Sequence, residues 1–233
     1  MPTVLLIRHG RSTANTSGVL AGRSPGIALD DKGRAQAQAL DARLGELKLA
    51  AIVSSPLQRC LETIEPLAAT RGLAVATEDR LAECDYGDWT GRTIASLMKE
   101  RLWGVVQAHP SGVTFPGGES MSAMAARAAA AVRAWDRRVA DEHGPGAVWA
   151  ACSHGDLIKA LVAETLGLHL DLFQRIVVDP GSVTAIRLTE LRPFLVKLND
   201  TGGDVDAYRP GRSRRRRSSE AVVGGGAGPA ARY

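Results

Sequence analysis

Cysteine is scarce in this chain of 233 residues, limited to Cys60, Cys84 and Cys152. Three cysteines with no C-x-x-C pair exclude a disulfide framework and the usual structural zinc spacings, and they fit reduced thiols. Long hydrophobic runs are missing as well, and nothing approaches the roughly 20 apolar residues of a membrane helix. Met1-Pro2-Thr3 leads straight into an apolar run, without the basic and apolar regions of a secretory signal, so the expected location is the cytoplasm. No phosphate loop is present either: Gly224-Gly225-Gly226-Ala227-Gly228 has neither strand nor helix around it and no Lys-Ser/Thr behind it. Lysine is rare, five against 24 arginines, a bias that a GC-rich genome produces as readily as selection for guanidinium chemistry does.

What the chain does have is the composition of a soluble globular protein, 45% hydrophobic and 23% charged, at a length suited to one α/β domain with an appendage. The formal charge of +4 resides in the last segment. From Thr201 onward seven arginines stand against Asp204, Asp206 and Glu220, so residues 1–200 carry no net charge. That segment has almost nothing apolar to bury and reads as a disordered Arg/Gly/Ser-rich tail, 201–233, behind a folded domain, 1–200. Such a tail could make weak contact with nucleic acid by counterion release.

Val4-Leu5-Leu6-Ile7 is too short for a helix and lacks polar alternation, which predicts a strand buried on both faces of a parallel sheet. It stops on Arg8-His9-Gly10, where Gly10 allows a sharp turn or a close approach. Asp30-Asp31 then introduce a helix from about Lys32 to Leu47, with Leu40, Leu44 and Leu47 at helical spacing. A second buried strand, Ala51-Ile52-Val53, ends on Ser54-Ser55-Pro56, where a serine N-cap and a proline at the first helical position predict a new helix with Arg59 in its first turn. A weak strand over 74–77 leads to Glu83 and then to the irregular stretch Cys84 to Pro116, in which 93–106 is the candidate helix. Pro116-Gly117-Gly118-Glu119-Ser120 opens a long helix to about Asp141, whose Met121, Met124, Ala128, Val132, Trp135 and Val139 form a core face. The apolar strand over 147–152 ends in Ser153-His154-Gly155 with a helix over 156–166 behind it. Strands over 183–188 and 194–198 follow closely enough to form an antiparallel edge pair.

Three buried strands thus give way to turns rich in cationic and imidazole groups. In a parallel sheet these carboxyl ends share one edge, so Arg8, His9, Arg59, His154 and the helix start at Gly155 can converge on a compact dianion such as a phosphoryl group. The motifs resemble the histidine phosphatase superfamily, the group that includes the cofactor-dependent phosphoglycerate mutases. The likeness rests on Arg8-His9-Gly10 with Ser12 and Asn15, Gly22, the run Ser54-Ser55-Pro56-Leu57-x-Arg59-x-x-x-Thr63, the run Leu81-x-Glu83-x-x-Tyr86-Gly87-x-Trp89-x-Gly91, and Ser153-His154-Gly155, in order over roughly residues 3 to 200. It implies a three-layer α/β/α sandwich around a mostly parallel sheet and a phosphohistidine intermediate. It also implies roles: His9 as nucleophile, Arg8, Arg59 and His154 on the phosphoryl oxygens, Glu83 as proton donor and then base, and Ser12, Asn15, Gly22 and Gly155 as substrate contacts.

The activity this implies is a metal-independent phosphatase acting on a small phosphorylated metabolite, with no cofactor and with self-association left open. A mutase must exclude water and grip a second anion. The mutase branch carries a longer insertion after the Glu motif, with a paired Arg-Arg, whereas here Arg92, Lys99 and Arg101 are unpaired in sequence, which favours hydrolysis. The mutase remains the alternative, and an idle phosphate- or nucleic-acid-binding protein the third reading. Cys60 and Cys84 read as small buried fillers. Trp89, Trp103 and His109 are candidates to line a substrate pocket, while His143 and His169 read as helix-end residues.

Overall fold

The computed structural model describes residues 2–45 and 47–203. The expected tail and its nucleic-acid contact fall on residues that, beyond Gly203, lie outside those described. Six strands make one sheet: β1 (Thr3–Arg8), β2 (Ala51–Ser54), β3 (Val75–Thr77), β4 (Val148–Ser153), β5 (Val183–Arg187) and β6 (Phe194–Asp200). Their order is β3-β2-β4-β1-β5-β6. The first four run parallel; β5 is antiparallel to β1, and β6 to β5, which is the expected terminal pair. Among the described residues no helix is long and apolar enough to cross a membrane.

Alternation along the strands builds a core on each face of the sheet. Leu5, Ile7, Ile52, Ala150 and Cys152 point to one side, where they pack with Leu40 of α2 (Asp31–Leu44) and with Cys60, Ile64 and Leu67 of α3 (Gln58–Arg71), the second and third helices after the short α1 (Thr13–Ser17). Val4, Leu6, Val53, Trp149 and Ala151 point to the other, joined there by Met121, Met124 and Val132 of one helix (Met121–His143) and Leu157, Ile158 and Leu161 of the next (Gly155–Thr165). Apolar residues on both faces of the central strands therefore produce helix layers on both sides, the α/β/α sandwich expected from the sequence. Burying one such side chain contributes roughly 1.5 to 3 kcal/mol, so the four residues Val4 to Ile7 anchor the strand that ends beside His9.

Local chemistry adjusts several boundaries. Asp30 caps α2 by accepting from Gly33 N (2.8 Å), but the helix ends at Leu44, and Leu47 lies outside it, exposed. The single helix expected over 93–106 is two, α4 (Ile94–Leu97) and α5 (Arg101–Ala108), because Glu100 takes an extended backbone as the N-cap of α5 while its carboxylate pairs with Arg92 (2.5 Å). The long helix, α6 (Met121–His143), buries its expected face, with Trp135 only partly covered and its Nε1 donating to Glu78 (3.0 Å). The last helix is α7 (Gly155–Thr165). The larger correction concerns Ser55: α3 begins at Gln58 with Leu57 at the N-cap and no side-chain capping bond.

Candidate active site

The three motif-bearing strands are neighbours in the sheet, with β4 between β2 and β1. Their pairing continues past the last strand residue: His9 N donates to Ser153 O (3.0 Å) and Ser55 N to Cys152 O (2.9 Å). Residues up to 146 positions apart in sequence are thereby brought to one edge, where Arg8, His9, Arg59, Glu83 and His154 are all buried.

Arg59 is the hub of the group. Its Nε donates to His9 Nε2 (3.3 Å), and one terminal nitrogen donates to His154 Nδ1 (3.1 Å) and to the carbonyl of Gly22 (2.9 Å). The other terminal nitrogen is buried without a hydrogen-bond partner, an arrangement that costs about 1 to 3 kcal/mol unless an acceptor fills it. A guanidinium can only donate, so both imidazole nitrogens facing it carry lone pairs. The remaining contacts agree. His9 Nδ1 lies 2.7 Å from Gly10 O, which can only accept, and His154 Nε2 lies 2.8 Å from Ser55 Oγ. Both rings are thus neutral, His9 with Nε2 unprotonated and His154 with its proton directed at Ser55. Burial, followed by Arg59 and Arg8, holds His9 well below the usual imidazole range, with the Gly10 carbonyl opposing; burial and then Arg59 do the same for His154. The ring centroids lie 5.2 Å apart.

Glu83 completes the edge, with Oε2 3.9 Å from His154 Nδ1 and Oε1 accepting from Cys84 N (2.9 Å). Burial and the neighbouring Asp156 push its carboxyl up to about 7, against the pull of Arg59, the Cys84 amide and Arg8. A carboxyl poised near neutrality can give and retake a proton at physiological pH. Its approach is fixed by Ser153 Oγ, which donates to Leu81 O (2.8 Å). Arg8 reaches across the sheet and donates to Val178 O (2.7 Å).

Gly10 serves a close approach rather than a strained turn. A Cβ there would sit 2.7 Å from Gly33 O, and a Cβ on Gly33 would clash with the carbonyl of Arg11, so the loop behind His9 rests directly on the first turn of α2. Thr63 ties the same loop to α3: Gly10 N donates to its Oγ1 (2.9 Å), which itself donates to Arg59 O (2.6 Å). Gly33→Ala sets two effects against each other. Helix propensity favours it by about 0.8 to 1.0 kcal/mol, while overpacking costs about 1 to 3 kcal/mol or more, and here the obstacle is backbone. A net loss of about 1 to 2 kcal/mol is expected in urea denaturation; a gain would mean that the loop yields freely.

Ser12 and Asn15 form a capping box at α1, Asn15 Oδ1 accepting from Ser12 N (3.0 Å) and Oγ (2.9 Å), in the loop that follows His9. Gly155 is the first residue of α7, whose N-cap, His154, makes no side-chain capping bond. Other candidates lie elsewhere. Trp89 is buried in the core, stacked on Trp103 at 6.2 Å and edge-on to Phe115 at 5.3 Å, and His109 pairs with Asp171 (2.8 Å). Cys60 and Cys84 are buried, as expected of fillers. Sequence reasoning missed Ser55 as the partner of His154, Thr63, and the buried Tyr86–Asp156 hydrogen bond (2.8 Å) behind Glu83; Ser55, Thr63 and Tyr86 all stood within the motifs.

Comparison with known proteins agrees with this geometry. The sequence signature of the histidine phosphatase superfamily (branch 1) matches residues 4–201. Phosphoserine phosphatase 1 of Hydrogenobacter thermophilus is 31% identical over 209 residues, covering 86% of this chain and 93% of that protein. A probable phosphoglycerate mutase of Erwinia tasmaniensis is 31% identical over 210 residues, covering 88% and 94%. Among solved structures, a mycobacterial glucosyl-3-phosphoglycerate phosphatase complexed with VO3 superposes with a TM-score of 0.75 at 29% identity, covering 85% of this chain and 98% of that one.

Proposed function

The chain belongs to the histidine phosphatase superfamily, and we propose that it hydrolyses small phosphomonoesters through a phosphohistidine on His9. That it is a phosphatase of this family follows from its relatives. The observation that carries the proposed chemistry is Arg59, buried, whose Nε donates to the lone pair of His9 Nε2 and which keeps one terminal nitrogen unpartnered. Arg8, Arg59 and the amides opening α7 would hold the phosphoryl oxygens, joined by His154 once the bound dianion draws a proton onto its Nδ1, and supported by Ser12 and Asn15 in the adjoining loop and by Gly22, whose carbonyl orients Arg59. His9 Nε2 attacks phosphorus in line; the bond to the leaving oxygen breaks, and Glu83 passes its proton to that oxygen. In the second half Glu83 takes a proton from water as the water attacks, the N–P bond breaks, and inorganic phosphate leaves.

Two features favour water over a second substrate as acceptor. Within Cys84 to Pro116, Arg92 is neutralised by Glu100, and Lys99 and Arg101 are exposed. The mutase reading retains the support of the Erwinia relative. A panel of phosphomonoesters, including phosphoserine and sugar phosphates, tested with a metal chelator present separates the two. Continuous release of phosphate is expected, with little interconversion of monophosphoglycerates; interconversion faster than hydrolysis would establish the mutase. Loss of turnover with chelator would refute metal independence.

A further inference from the structure

Beside the site lies an ion pair with no part in the steps above. The turn Pro116-Gly117-Gly118-Glu119, visible in the sequence only as punctuation before α6, packs against the segment that follows Glu83. Asp88 N donates to Pro116 O (2.8 Å) and Glu119 N to Asp85 O (2.9 Å), and a Cβ on Gly118 would strike the Asp85 carbonyl. From this turn Glu119 Oε1 accepts from Asp85 N (2.8 Å), Arg23 (3.0 Å) and Arg127 (2.5 Å), and Oε2 accepts from Arg127 Nε (2.9 Å). Arg127, on α6, donates onward to the carbonyls of Arg80 (2.7 Å), Ala82 (2.8 Å) and Glu83 (3.0 Å). Arg23 Nε gives the Glu83 carbonyl a second bond (2.9 Å). The backbone from Arg80 to Asp85, held at Leu81 by Ser153, is therefore tied at Arg80, Ala82, Glu83 and Asp85 to one carboxylate and the guanidiniums it holds.

We propose that Glu119, acting through Arg127, is a positioning residue for proton transfer: it fixes the backbone that carries Glu83 and neutralises the guanidinium behind it. This rests on the reading of Glu83 as the acid. Burial pushes the Glu119 carboxyl up, but the bonds from Arg127 and the Asp85 amide bring it below the usual range, so it is ionised at neutral pH. The titratable and charged groups that face Glu83 come from every side: Arg8 of β1, Arg59 of α3, the neutral His154 beyond β4, Asp156 and Lys159 of α7, and Arg127 of α6. Removing the negative charge of Glu119 leaves Arg127 uncompensated, and an added positive field favours the ionised form of Glu83.

The test is phosphoenzyme formation in a single turnover, measured across pH with glycerol phosphate and with p-nitrophenyl phosphate. Glu119→Gln should lose about tenfold on glycerol phosphate, part of the roughly 10² to 10⁴ that acid catalysis supplies, and much less on p-nitrophenyl phosphate, whose phenolate leaves unaided. The alkaline limb of its glycerol phosphate profile should move to lower pH by about half to one unit. In Glu119→Gln/Arg127→Gln the limb should return while the slower rate persists. Equal losses on both substrates, or a limb that stays in place in the single variant, overturn the proposal. Should Glu119→Gln fail to fold, Arg127→Lys keeps the charge and loses the fork; a loss confined to glycerol phosphate is expected there, and equal losses again overturn the proposal. Glu83→Gln is run alongside. If it is indifferent to the leaving group, the reading beneath falls and the proposal with it; if it is not, and Glu119→Gln is, the proposal alone falls.

Discussion

Replacing His9 with alanine should abolish the phosphoenzyme and lower kcat by about 10⁴ or more, the scale on which loss of a nucleophile is felt. Substrate affinity should survive. Arg8, Arg59 and His154 remain, and Arg59 Nε, which donates to His9 Nε2 at 3.3 Å, is released to donate to a phosphoryl oxygen. Rapid quench with a radiolabelled phosphomonoester should therefore find an acid-labile, base-stable label on the wild-type protein and none on His9→Ala, while the variant still protects bound substrate. Equal labelling of both proteins would remove His9 as the nucleophile.

Glu83→Gln keeps size and hydrogen bonding but has no proton to give. Turnover of an alkyl phosphate should fall by about 10² to 10⁴, whereas formation of the phosphoenzyme from p-nitrophenyl phosphate should fall much less. Because the proposed mechanism uses the same carboxyl group as base in the second half, the comparison belongs on a single turnover. Equal losses would reduce Glu83 to a spacer. Its titration has a further readout. Unfolded, the group ionises near the ordinary value of about 4.3; folded, it holds its proton to about 7. Its contribution to stability is therefore fully present below the unfolded value and is lost as pH rises through about 7. Relative to Glu83→Gln, the wild-type protein should become less stable across that window in denaturant titrations, and parallel curves would show that the carboxyl is not held protonated.

The strand ends were legible because each marks an abrupt change from buried apolar residues to polar ones: Ile7 to Arg8, Val53 to Ser54, Cys152 to Ser153. Buried strands with no polar alternation identify a parallel sheet, and a parallel sheet places its carboxyl ends together, so convergence of Arg8, His9, Arg59 and His154 followed from local pattern plus topology. Partners chosen across the fold were not legible. Ser55-Pro56 satisfies every local rule for a helix start, yet its hydroxyl is taken by His154, 99 residues away, and α3 starts later. Trp89 and His109 lay in an aperiodic stretch that offered no sign of which side chains turn inward; one joins the core and the other meets Asp171. Glu119 was hidden for the opposite reason, since a proline and two glycines account for a turn without any need of the carboxylate beside them.

The strand that carries His9 precedes the other five in sequence, yet its partners are among the last to follow. β1 pairs residue for residue with β4, about 145 positions downstream, and with β5, about 180 downstream, and among the described residues has no strand partner nearer in sequence. Until Val148–Ser153 has emerged, β2 and the edge strand β3 can pair only with each other. Closing loops of that length costs entropy before any contact repays it, and ladders so distant in sequence fold slowly. Val4 to Ile7 therefore stay unpaired until β4 has followed, and an apolar strand left open during folding is prone to aggregate. A fragment ending before β4 lacks His154 as well as the strand that aligns His9 with Ser55, so the edge that gathers Arg8, His9, Arg59 and His154 cannot assemble before the central strand is in place.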